Sequence, residues 1–301
     1  MSYRERLPEY VRILNAYGPY EGDGDAAPFV YEHGGGLQDL REAYRLDAVA
    51  GDGDEIARLA NVARWVSDSI PYDGNSVPPE EKSALAILAA ARAHGTGANC
   101  WLLAVVVCEA YLALGYPARY VRCLPYDYRD PDCHVVSLVR AATLDKWVMF
   151  DPSFNAWVHD GTGAILSLEE IRERLATGKG LAVSDGLRGM EPEEYLAYMA
   201  KNLVHLESPV TNGMGSDDRE SARYVRLAPC GFDARAWSQR GLDGRGAWVA
   251  RMRDEHPEDE ERYRAIEGFI AAARETALHR TIYTRDARSF WGPPGTGQSA
   301  T

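Results

Sequence analysis

The chain has 301 residues, 46% of them hydrophobic, and a formal net charge of −12. That is enough apolar content for one large domain or two small ones, and the acidic balance argues against a nucleic-acid partner, whose phosphates call for a basic face. The five cysteines (100, 108, 123, 133, 230) are odd in number and lack CxxC spacing. They argue against a disulfide framework or a structural zinc site and suit a reducing cytoplasm. Met1–Arg6 is charged with no apolar run behind it, so no secretory leader and a cytoplasmic location are expected. No stretch approaches the length of a membrane span.

In chain order, residues 1–36 read as irregular, with loops at 21–25 and 34–36. The spacing of Leu40 and Tyr44 predicts a helix over 37–49. Gly51-Asp52-Gly53-Asp54 breaks it and caps the next, 55–69, whose Ile56, Leu59, Ala60, Ala63 and Val66 share one side. The Asp-Gly clusters lack the ligand spacing of calcium loops and read as solvated turns. A turn-rich loop over 71–79 leads to an apolar helix over 83–93, and then to the polar, glycine-bearing run Gly95–Asn99.

The organising stretch follows. From Trp101 to Leu114 the only charged side chain is Glu109, so this helix is apolar nearly all round and must be buried. Asn99 is its expected N-cap; Gly115 closes it and Pro117 forbids continuation. Cys100 therefore falls in the first turn, where free backbone N–H groups and the positive end of the helix dipole favour a thiolate. A cysteine in an apolar helix is by default a small core residue; this position is what sets Cys100 apart.

Beyond it, 118–124, 133–139 and 147–151 read as strands, the last ended by Pro152. A Ser167/Glu170 capping box opens a helix over 166–175, and 193–206 is amphipathic. Residues 207–220 read as a loop or linker, 224–227 as a strand, 260–277 as a helix and 292–301 as a disordered tail. The expected organisation is an irregular segment (1–36), a core (37–160), a mainly helical extension (161–291) and the tail (292–301).

The strands 133–139 and 147–151 are joined by a short loop and should form an antiparallel hairpin. Centring the register on that loop sets His134 nearly opposite Asp151, where Cβ atoms lie about 4.5–5.5 Å apart. A carboxylate there would fix the imidazole tautomer, leaving the other ring nitrogen to take the thiol proton of Cys100. Taken alone, His134 fits a core histidine equally well and Asp151 a strand-ending turn; the register is the sharper observation, since a one-residue slip would turn His134 to the opposite side. Asp145 falls in the turn, away from His134.

Gly97-Ala98-Asn99-Cys100, the apolar helix, Leu114-Gly115-Tyr116-Pro117-Ala118-Arg119-Tyr120-Val121, the strand at His134 and Trp147-Val148-Met149-Phe150-Asp151-Pro152 together resemble the transglutaminase-like superfamily. The match is specific over about residues 97–153. The resemblance implies an α+β papain-like core, with a central helix packed on an antiparallel sheet. It implies Cys100 as nucleophile, His134 as base and Asp151 as its orienter. The expected activity is cleavage or acyl transfer at an amide carbonyl through a thioester, on a peptide, protein or small-molecule amide, with no cofactor, metal, nucleic acid or membrane. Many relatives carry an aromatic and an acidic residue shortly after the histidine; Val135, Val136 and Ser137 stand here, which bears on substrate. The rivals are an arylamine N-acetyltransferase-like acyltransferase, an idle binding module and, more remotely, a metal site at Cys100, Cys133 and His134. For the oxyanion, the Cys100 N–H is a natural donor. Asn99, Trp101 and Asn155 are nearby but read as structural.

Overall fold

The computed structural model describes residues 2–22, 24, 27–218 and 221–294. Asp23 and Asp25 of the expected first loop, and the tail from 295, lie outside the described residues. In chain order the elements are α1 (Tyr3–Ala16), β1 (Val30–Tyr31), α2 (Gly36–Ala43), α3 (Leu46–Ala50), α4 (Glu55–Ser69), α5 (Ala84–His94), α6 (Cys100–Ala113), β2 (Ala118–Leu124), β3 (His134–Ala141), β4 (Lys146–Phe150), β5 (Val158–His159), α7 (Leu168–Thr177), β6 (Ala182–Val183), α8 (Pro192–Asn202), β7 (His205–Pro209), β8 (Thr211–Asn212), β9 (Tyr224–Leu227), α9 (Ala234–Glu255), α10 (Glu260–Glu275), β10 (Thr281–Thr284) and α11 (Ala287–Trp291).

A six-stranded mixed sheet, ordered β10-β9-β7-β2-β3-β4, divides the molecule. Strand alternation splits its side chains between two cores. Val135, Val139, Val148 and Phe150 meet α6, which is buried from Leu102 to Ala113 and ringed by α2, α4 and α5. Val136, Leu138, Trp147 and Met149 point the other way, into a second core with Tyr10 and Leu14 of α1, Ile171 and Leu175 of α7, and Tyr195 and Met199 of α8. Each fully buried Leu, Val or Phe contributes about 1.5–3 kcal/mol, so neither layer is dispensable. No helix of the described residues is long and apolar enough to cross a membrane.

Several expectations need correction. Residues 1–36 are not irregular throughout: α1 opens on a Ser2/Glu5 capping box and buries Tyr10 and Leu14. Its stripe is thin, interrupted by charges and by Pro8, and acquires an apolar partner only when α8 docks. The 37–49 helix breaks in two at Arg45, which takes a left-handed conformation (φ 51°). The helix expected over 193–206 stops at Asn202, and His205–Pro209 becomes β7, bonded to β2 on one side and β9 on the other. Part of the expected 207–220 loop is thus a central strand, two of whose residues, His205 and Glu207, are buried polar side chains that conceal the pattern. Helix α9, over residues given no element in the sequence reading, is additional. Helix α10 gives way at Thr276 to a π-helical turn and then to β10, parallel to β9. The mainly helical extension thereby supplies β7, β9 and β10, half of the sheet.

Candidate active site

The segment leading into α6 is held as a short parallel bridge. Ala98 donates its N–H to Pro71 O (2.9 Å), and Asp73 N–H reaches Ala98 O (2.9 Å). Gly97 lies so close that a Cβ there would sit 2.7 Å from both Pro71 O and the Asp73 Cβ, so only glycine fits. Asn99 then caps the helix, its side chain accepting from Leu102 N at 3.1 Å. Cys100 follows as the first helical residue, half-buried. Its own N–H belongs to the turn that has no intrahelical acceptor. The next side chain, Trp101, is turned away by its indole N–H, which donates to Asp217 at 3.0 Å.

His134 is the first residue of β3, paired with Cys123 of β2, and is fully buried. Asp151 follows β4 in a tight turn closed by reciprocal bonds with Ala156 (2.8 and 3.0 Å) and tied to α4 through Ser67 Oγ, which donates to Pro152 O at 2.7 Å. His134 Nε2 meets Asp151 Oδ2 at 2.5 Å. The hairpin register is two residues from the one expected: Ser137 pairs with Phe150 and Arg140 with Trp147, so Asp151 lies just past the end of the ladder. A slip of two keeps every side chain on its side of the sheet, and the pair still meets on the diagonal. Asp145 stands in the turn, bonded to Arg140, with 95% of its side chain exposed.

The remaining ring nitrogen, Nδ1, is buried without a hydrogen bond of its own. Burial pulls the imidazole pKa down, but Asp151 and then Cys100 more than reverse this, pushing it up to about 10. Asp151 and Cys100 thus both favour the protonated ring. Burial raises the Cys108 and Cys123 thiols well above the thiol range and Cys133 to about 11, and Cys230 is exposed.

The structure thus brings His134 and Asp151 together and sets Cys100 at a helix start, from which it adds to the rise in the His134 pKa. Asn99 is spent on its cap, Trp101 on Asp217, and Asn155 donates to Gly186 O at 3.0 Å. A set of aromatic residues around the pair was missed. The His134 ring packs on Phe154 (5.5 Å) and Tyr198 (5.1 Å), and Tyr195 OH donates to Asp151 Oδ2 at 3.0 Å. Tyr72, 44% exposed, has its phenol pKa pushed up to about 12 by burial and then by Cys100. The spacing Tyr195, Tyr198, Lys201 along an amphipathic helix was the available signal; its target was not. A cavity of about 890 Å³ opens between α1, the 125–130 segment and the start of α9, and touches none of Cys100, His134 and Asp151.

Residues 42–152 match the model of the transglutaminase-like superfamily. A comparison with curated proteins found no match. Among solved structures, the chain is similar to a protein from Cytophaga hutchinsonii provisionally named a cysteine protease, at 16% identity and a TM-score of 0.33, covering 57% of this chain and 58% of that one. The chain thus spans less than two thirds of that structure. The superfamily match encloses the apolar helix, the β2–β4 strands and all three of Cys100, His134 and Asp151, while α7, α8 and the later strands lie beyond it. Over residues 42–152 this chain is similar to the transglutaminase-like superfamily.

Proposed function

We propose that the protein is a thiol amidohydrolase in which Cys100 attacks an amide carbonyl, with His134 as its acid and base and Asp151 as the group that orients His134. The observation that carries this reading is the buried 2.5 Å contact of His134 Nε2 with Asp151, which leaves Nδ1 unpartnered while Cys100 acts on the ring. The thiolate forms a C–S bond to the carbonyl carbon, and the oxygen takes the negative charge, facing the Cys100 N–H. When the oxyanion collapses, the C–N bond breaks and the imidazolium gives its proton to the leaving amine. The neutral imidazole next takes a proton from water as it attacks the thioester; the C–S bond breaks and the acid leaves. An amine in place of water would give transfer, but an amine must be held near the carbonyl to compete, and water needs no such pocket.

The test uses a panel of acyl-amide donors, with and without primary amines, following the mass of Cys100. A thioester that decays mainly to free acid is expected, with Cys100→Ala abolishing it. Mainly new amide would make the enzyme an acyltransferase. No adduct with any donor, and biological activity that survives Cys100→Ala, would leave the binding-module reading in its place.

A further inference from the structure

Helix α8 lies outside the matched segment, yet it presents three side chains at helical spacing to the residues around His134. Tyr195 is fully buried, and its hydroxyl donates to Asp151 Oδ2, the oxygen that also meets His134 Nε2. The other oxygen, Oδ1, accepts the Ser153 N–H at 3.0 Å. One turn on, the Tyr198 ring lies against His134, with its hydroxyl 3.2 Å from Asp132 Oδ1 and 3.4 Å from Cys133 O. Lys201 Nζ then binds Asp130 Oδ2 (2.9 Å) and Asp132 Oδ2 (2.8 Å). The helix is anchored in turn by Glu194, whose two oxygens accept the Tyr3 and Arg4 N–H groups at the start of α1 (2.7 and 2.9 Å).

We propose that Tyr195 is a positioning residue for Asp151, so that the extension after residue 160 completes the reacting group. This rests on the reading of Cys100, His134 and Asp151 given above. A carboxylate can rotate about two bonds, and it faces the imidazole squarely only if both oxygens are held. Ser153 N–H holds one and the Tyr195 hydroxyl the other, so Oδ2 stays aimed at Nε2. The ring of Tyr195 already fills its space, edge-on to Phe154 at 5.8 Å. Packing alone would need the ring and not the hydroxyl, and an apolar ring would avoid burying a polar group. Burial, followed by the Asp151 charge, drives the phenol pKa well up, so the hydroxyl keeps its proton and remains a donor.

Tyr195→Phe in the full chain removes the donor and keeps the ring. The readout is the rate of Cys100 alkylation by iodoacetamide as a function of pH, followed by mass, which requires no knowledge of the substrate. We expect Cys100 to react about tenfold more slowly at neutral pH, as befits a lost hydrogen bond to a charged group, with the rise in rate displaced to higher pH and the circular-dichroism spectrum unchanged. In an Asp151→Asn background the same substitution should have no further effect. A Tyr195→Phe profile that superimposes on the parent, or a full effect that persists in the Asp151→Asn background, overturns the proposal. His134→Ala separates the two levels: if it leaves the alkylation profile intact, the reading of the reacting group itself fails, whereas a profile altered by His134→Ala and untouched by Tyr195→Phe removes only Tyr195.

Discussion

Asp151 gathers three donors in a volume closed to water: His134 Nε2, the Tyr195 hydroxyl and the Ser153 N–H. Its charge is the leading influence that raises the His134 pKa against burial. The sign follows. Because the folded pKa, about 10, lies above the ordinary 6.5, this pairing stabilises the fold fully below pH 6.5, and the contribution fades as pH climbs toward 10. On the proposed mechanism, the imidazolium that would protonate a leaving amine is favoured over the same range. Asp151→Asn keeps the shape and removes the charge. Turnover should fall at least tenfold and by as much as about 10⁴-fold, and the alkaline limb of its pH profile should move down from near 10. Asp145→Asn should change turnover little, since that side chain is exposed and its surface ion pair with Arg140 is worth about 0–1 kcal/mol. A crippled Asp145→Asn beside an active Asp151→Asn would assign the roles the other way. At this scale Cys100 and the His134–Asp151 pair were legible, from helix-start and hairpin grammar. Tyr195 was not, because its partner is 44 residues away.

Within α6 the one acid, Glu109, is buried among apolar neighbours. It ties three segments together, accepting the Ala84 N–H that begins α5 (2.7 Å) and the Gly215 N–H of a distant turn (2.9 Å). Burial pushes its pKa up to about 8, with Asp217 and Glu81 adding to the rise against the lowering effect of the two N–H groups. Here the folded carboxyl holds its proton more tightly than the unfolded one, so between about pH 4.5 and 8 stability declines as pH rises. Glu109→Gln should flatten that decline. Urea unfolding at pH 5, 6.5 and 8 measures it; a slope retained in the variant would place the titration elsewhere. Element boundaries set by local chemistry were legible: the Asp54, Asn99 and Ser167 caps all accept the expected backbone N–H. Elements that owe their state to partners, α1, β7 and β10, were not.

On the scale of the whole molecule, the superfamily segment does not supply its own second core. Val136, Leu138 and Met149 are covered by α1, α7 and α8, and β2 is flanked by β7 from the extension. A chain ending at residue 160 would expose that apolar face together with the β2 edge, a pairing hazard. It should show no cooperative unfolding transition, whereas the full chain should unfold in one step seen alike by far-ultraviolet circular dichroism and tryptophan fluorescence. A cooperative transition in the short chain would show that residues 1–160 stand without the extension.

The buried helix, its polar entry, the Cys100 position and the β3–β4 hairpin were determined by the sequence itself, because caps, apolar runs and hairpin parity act over a few residues and leave their mark locally. The tertiary structure alone decided that His205–Pro209 is a strand, that β10 runs parallel to β9, and that α8 closes over Asp151. Those outcomes depend on which backbone edge or apolar face lies free when distant segments meet, and no local pattern of residues records that.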